Sequence, residues 1–247
     1  MSSLDQFVFS DSVREFWHTR QRQADSQKLR GQSDQGSRSA VTGGKQMDGF
    51  SRTITNFLIE AGIDQKDIFQ RVSVELPGFF RPTKEWDIVV VEDGNLIASI
   101  ELKSQIGPSF GNNFNNRTEE ALGTAMDIWT AYREGAFRTS LAPWIGYLLL
   151  LEDCPESRRP VGVREPHFSV FPEFVDASYS KRYELFCRKL IRERQYNSAC
   201  FITADRKKAD LEKNYAEPAK DLSANRFLAS LLGHAASASN KKTNRPD

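Results

Sequence analysis

Between residues 85 and 105 the chain reads EWDIVVVEDGNLIASIELKSQ. Two apolar runs, 86–91 and 96–102, flank Asp93-Gly94-Asn95. Those three residues tolerate positive φ, so the pattern predicts two strands joined by a tight hairpin turn. Elsewhere apolar residues recur at helical spacing. Met47, Phe50, Ile54, Phe57, Leu58 and Ala61 predict a helix over 45–61, stopped by Gly62. Val13, Phe16 and Trp17 predict an earlier helix from Ser10 to about Leu29, and Leu122, Met126 and Trp129 a third over 116–134, its start marked by Asn116 and Glu119 as a capping box. Further helices are expected over 179–196 and 219–236. Strands are expected over 70–76, where Val72, Val74 and Leu76 alternate, over the fully apolar 144–151, and over 198–204. The glycine-rich stretch 31–44 and the Asn-rich stretch 104–117 read as long loops.

The order around the hairpin is helix, strand, strand, strand, helix, strand. This predicts an α/β protein: an αβββαβ core of a mixed sheet flanked by helices, with further helix and strand elaboration toward the C-terminus. A single domain is expected over 1–236, with its core at about 45–151 and a disordered tail over 237–247.

Composition changes this picture little. Hydrophobic residues make up 39% of 247 and include 17 Phe and 4 Trp, enough for a sizeable core. The formal net charge of +1 argues against a wholly basic, loosely held binder, though a cleft can still focus local charge. Cys154, Cys187 and Cys200 are widely spaced, an odd number suited to reduced thiols in the cytoplasm. The opening MSSLDQFVFSD has no basic segment followed by an apolar one, so no signal peptide is expected, and no run is long enough to span a bilayer.

The hairpin carries the candidate chemistry. Folding its open ends together returns Asp87 beside Glu101 and Lys103. Alternation along the strand points Glu101, Lys103 and Gln105 to one face. Two close carboxylates repel unless a cation offsets them. Mg²⁺ suits the pair, because it takes oxygen ligands and usually only one or two carboxylates. Asp87, Glu101 and the backbone carbonyl of Leu102 are the expected ligands. Lys103 is placed to orient a water and to meet charge building on a phosphate. Asp48, in the first turn of its helix, and Gln105 are expected in support. Asn115, Asn116 and Arg117 follow directly, and Asn and Arg can bond adenine and guanine bidentately. The basic face of the first helix fits either solvent or DNA backbone. Over 180–208, nine Lys or Arg stand against three Asp or Glu, which fits a phosphate-facing surface or a solvated helix face.

Asp87 with Glu101-x-Lys103 on a hairpin inside this order resembles the PD-(D/E)xK nuclease superfamily, with Trp86 in place of the usual proline. More specifically, GGKQMDGF over 43–50, EWDIVVV, ELKSQ and GPSFGNNFNNRTEEALG over 107–123 resemble the XhoI-type restriction endonucleases. The resemblance runs over nearly the whole chain. It implies a type II enzyme that acts as a homodimer with Mg²⁺ on double-stranded DNA. The implied target is the palindrome CTCGAG, cut after the first C to leave 5′ overhangs, with a cognate methyltransferase protecting host DNA. Two other classes fit the bare triplet: a structure-selective repair or recombination nuclease, which needs no base-reading insert, and a non-catalytic DNA-binding protein in which the three charges form a salt-bridged cluster.

Overall fold

The computed structural model describes residues 7–29 and 45–239. Helix α1 spans Ser10–Leu29 and α2 spans Asp48–Glu60, entered through a 3₁₀ turn at Lys45–Met47 and followed by Gly62 at φ 98°. The strands are β1 (Ile68–Phe69), β2 (Glu75–Pro77), β3 (Thr83–Glu85), β4 (Ile88–Glu92), β5 (Asn95–Gln105), β6 (Trp144–Glu152) and β7 (Ser198–Ala204). Helices α3 (Phe110–Arg133), α4 (Tyr179–Arg192) and α5 (Ala224–Ala238) complete the set, with one helical turn at Pro155–Arg158.

Five strands form the central sheet in the order β1-β4-β5-β6-β7. β1 and β5 lie antiparallel to β4, whereas β6 and β7 continue parallel to β5. With α2 before it and α3 between β5 and β6, the main sheet shows the expected αβββαβ order. The hairpin turn places Asp93 at φ 50° and Gly94 at φ 78°, the left-handed geometry that matches the twist of the strands. β5 is the long central strand. Its Ala98, Ile100 and Leu102 enter a core with Phe16, Phe50, Ile54, Phe227 and Leu231 of α1, α2 and α5. Its opposite face meets α3 and α4, where Ala121, Ala125, Tyr183 and Phe186 pack on Tyr147, Leu149 and Phe201.

Four expectations are corrected here. No single strand runs over 70–76. Arg71 and Ser73 take φ values of 63° and 55°, which break it, and Val72 is 71% exposed. Its second half pairs instead with β3, as a small hairpin apart from the main sheet. The Asn-rich stretch is not a loop, because β5 continues to Gln105 and α3 begins at Phe110. Asn116 therefore lies within α3, whose N-cap is Ser109, so the capping box does not form. At the C-terminal end α5 reaches Ala238, so the tail expected from 237 begins as helix; its remainder, and the loop expected over 31–44, lie outside the described residues.

Candidate active site

The antiparallel β4–β5 ladder opens at Ile88, opposite Ile100. One residue earlier, the Asp87 N–H bonds Ile100 O at 3.2 Å, which sets Asp87 beside Glu101. The Leu102 N–H donates to Asp87 Oδ2 at 2.7 Å. Leu102 thus holds Asp87 through its backbone while its side chain fills the opposite core. Asp87, Glu85, Asp48 and Leu102 line a cavity of about 600 Å³ between β4 and the N-terminal end of α2.

Glu101 is 1% exposed, yet its carboxylate is fully partnered. Lys84 Nζ lies 2.7 Å and Lys103 Nζ 3.4 Å from Oε1. The Tyr196 hydroxyl donates to Oε2 at 2.9 Å; its single proton is better placed there than toward Ala121 O at 3.3 Å. The two carboxylates titrate in opposite directions. Burial raises Asp87, and Lys103 and the Leu102 N–H only partly offset it, so its carboxyl stays above the usual carboxylate range. Burial raises Glu101 as well, but Lys103 and Lys84 outweigh it and hold Glu101 below that range. The Lys103 ammonium is depressed by burial but raised overall by Glu101 and Asp87. Asp87 is therefore the carboxylate less fully offset by positive charge.

That imbalance suits a divalent cation. Among the described residues no cluster of three or more His, Cys, Asp or Glu assembles a cage. Magnesium does not require one, since two carboxylates and a backbone carbonyl leave positions for water and phosphate. Asp87 and Glu101, side by side on the hairpin, supply the pair of carboxylates such an ion takes.

The other expected residues are less uniformly placed. Gln105 shares the face of Glu101 and Lys103, is 3% exposed, and donates its amide to Ile106 O at 2.7 Å. Asp48 faces the cavity but is paired with Arg71 at 2.5 Å. Asn115 and Asn116 are exposed on the early turns of α3. Arg117, half-buried beside them, pairs with Glu120 at 2.6 Å and lies near enough to Lys103 to influence its charge. The sequence reading missed Lys84 and Tyr196. Lys84 could have been suspected, because it sits in the short strand leading into Asp87. Tyr196 carries no such signal, since it meets Glu101 across 95 positions.

Residues 26–217 match the family model described as "Restriction endonuclease XhoI". The chain is 57% identical over 208 residues to the type II restriction enzyme BstVI of Geobacillus stearothermophilus, covering 82% of this chain and 92% of that protein. It is 48% identical over 181 residues to the type II restriction enzyme XhoI of Xanthomonas vasicola, covering 72% of each. It is also 50% identical over 159 residues to the type II restriction enzyme AbrI of Azospirillum brasilense, covering 64% of this chain and 71% of that protein. No solved structure matches.

Proposed function

The chain belongs to the XhoI restriction endonuclease family, and is a type II site-specific deoxyribonuclease acting on double-stranded DNA. From that premise we propose that it uses Mg²⁺ to hydrolyse the duplex at CTCGAG, cutting after the first C to leave 5′ overhangs with 5′-phosphates. The observation that carries the catalytic assignment is the convergence of Asp87, Glu101 and Lys103 at the open end of the β4–β5 hairpin.

Asp87, Glu101 and the Leu102 carbonyl would hold the ion. When bound, the ion supplies Lewis-acid activation of water and neutralises charge at the phosphate. Lys103 orients the attacking water and meets the negative charge that builds on the phosphate oxygens. Gln105 donates one amide N–H to Ile106 O, which leaves its second N–H for the scissile phosphate and its oxygen for a water. Asp48 supports the cavity wall. Asn115, Asn116 and Arg117 read bases from the early turns of α3.

A palindromic target calls for two such sites related by a dyad, hence a homodimer. Residues 1–236 act as one nuclease domain, and a cognate methyltransferase protects host DNA in the same cytoplasm. In support of that compartment, Cys154, Cys187 and Cys200 are free thiols. Among the described residues no helix is long and apolar enough to cross a membrane.

The direct test incubates the protein with mixed-sequence linear DNA and Mg²⁺, with an EDTA control, and sequences the fragment ends. Discrete fragments ending in 5′-TCGA overhangs, lost in EDTA, are expected. Discrete fragments with other ends would move the target and keep the mechanism. Intact DNA across several divalent ions would remove the catalytic assignment.

A further inference from the structure

Lys84 stands on β3, outside the central sheet, yet its ammonium is the closest cation to Glu101. Its side chain is only 15% exposed, and its Nζ has three anchors: Glu101 Oε1 at 2.7 Å, Glu85 O at 2.7 Å, and the face of the Trp86 ring at 4.8 Å. The strand that presents it is braced from α3. Asp127 Oδ1 accepts the N–H groups of Phe79 and Phe80 at 2.7 and 2.8 Å, and Asp127 Oδ2 accepts Arg81 Nε at 2.6 Å. The tip of the β2–β3 hairpin is thereby fixed, and with it the approach of Lys84.

Each oxygen of Glu101 has a partner in this arrangement. Oε2 is taken by Tyr196, and Oε1 is shared by Lys84 and Lys103. A divalent ion that binds Glu101 through Oε1 must take the place of one ammonium. Lys103 is carried on the same strand as Glu101 and is the residue assigned to the water and the phosphate, so its ammonium is needed at the site when the ion is bound. Lys84 is nearer, reaches in from a separate hairpin, and has a flexible stem. A carboxylate as buried as Glu101 is costly to leave charged and unpaired. We propose that Lys84 is a positioning residue that holds the divalent ion's place: its ammonium pairs with Glu101 Oε1 and keeps the carboxylate aimed before the ion arrives, and is displaced when the ion binds. This rests on the reading of Asp87 and Glu101 as the ion's ligands.

The test is Mn²⁺ binding to the full chain without DNA, with the free ion counted by electron paramagnetic resonance. Mn²⁺ accepts the same oxygen donors as Mg²⁺. Wild type is compared with Lys84→Gln, Lys84→Met, Lys84→Arg and Asp87→Asn. Asp87→Asn should lose the bound ion. The two neutral Lys84 variants should bind it about tenfold more tightly, because a like charge has left the immediate neighbourhood of the ion. Lys84→Arg should stay near wild type. Lys84→Gln keeps a hydrogen-bond donor toward Glu101, so it is the variant to rely on if Lys84→Met folds poorly. A second readout is melting: in EDTA Lys84→Gln should melt below wild type, and saturating Mn²⁺ should narrow the gap. If both neutral variants bind Mn²⁺ as wild type does, or more weakly, while Asp87→Asn still abolishes binding, Lys84 is only a structural partner. If Asp87→Asn changes nothing, whether wild-type binding is tight or absent, the carboxylate site itself fails and takes the placeholder with it.

Discussion

On the side of the sheet covered by α1, α2 and α5, Ile88, Ile100, Leu148 and Ile202 meet Phe50, Ile54, Phe227 and Leu231, and all of these side chains are fully buried. On the side covered by α3 and α4, the same strands present Glu101, Lys103 and Gln105 among Tyr147, Tyr183 and Tyr196. β5 serves both: from Ala98 onward its even-numbered residues lie on the first side and its odd-numbered residues on the second. The first side follows the simplest rule of folding, apolar against apolar. The second gives up apolar contact to bury charge, and even its hydroxyls are not all satisfied. Tyr147 Oη, Tyr183 Oη and Arg117 Nε are buried without a hydrogen-bond partner. Such groups are costly in a core that only needs to be stable. The two-sidedness of one strand therefore divides the labour: one face supplies stability and the other holds the chemistry.

Substitutions on the two faces should separate these roles. The largest effect is expected from Asp87→Ala or Glu101→Ala. Each should lower cleavage about a thousandfold or more, measured as single-turnover hydrolysis of a target duplex, while specific binding persists in a gel-shift assay. A variant that cuts at the normal rate would remove its residue from the site.

On the apolar face the opposite split is expected. Ile100 is fully buried and pairs with Ile88, one step along the ladder from Asp87 and Glu101, but it points away from them. Ile100→Ala should cost about 2–5 kcal/mol of stability in urea unfolding. Below its melting point the variant should still cleave within severalfold of wild type. A collapse in turnover of well-folded protein would mean that the two faces are not separable.

Lys103→Ala lies between these extremes. Turnover should fall about a hundredfold, with little change in melting temperature, because Lys84 still neutralises Glu101 at 2.7 Å. Unchanged turnover would hand the role assigned to Lys103 to another cation.

The division between the faces was readable in advance only where it is local. The β4–β5 hairpin was legible because a period of two, apolar runs and an Asp-Gly-Asn turn all agree. The Asn-rich stretch misled because Asn and Gly favour turns when taken alone. Phe110 stacks on Tyr179 at 5.8 Å and Phe114 meets Tyr183 edge to face at 5.0 Å, and this packing draws the segment into helix against its propensity. Val72 and Val74 alternate like a strand, but positive φ at Arg71 and Ser73 turns the chain between them. Asp87, Glu101 and Lys103 could be found because one hairpin gathers them. Lys84 and Tyr196 reach Glu101 from other elements, and no periodicity marks a partner that arrives through tertiary packing.

The smallest expected effect isolates the two carboxylates themselves. Glu101 is held below the usual carboxylate range because Lys103 and Lys84 outweigh its burial, so its ionised form stabilises the fold. That contribution is complete above the unfolded-state pKa and is lost as pH falls through the lower, folded value. Asp87 has the opposite sign. Burial raises its carboxyl, so its protonated form is the better tolerated one, and the benefit disappears as pH rises through the folded value. At neutral pH in EDTA, Glu101→Gln should therefore melt below wild type, whereas Asp87→Asn should melt at or above it. As the pH is lowered toward the carboxylate range the Glu101→Gln deficit should shrink, because the wild type is then losing the same charge. Adding Mg²⁺ should raise the melting temperature of wild type but not of Asp87→Asn, reversing their order. Melting curves across pH, with and without the ion, are sufficient to check this. A fall of similar size in both variants at neutral pH would show that the two carboxylates share one electrostatic role, and that the charge imbalance assigned to Asp87 does not exist.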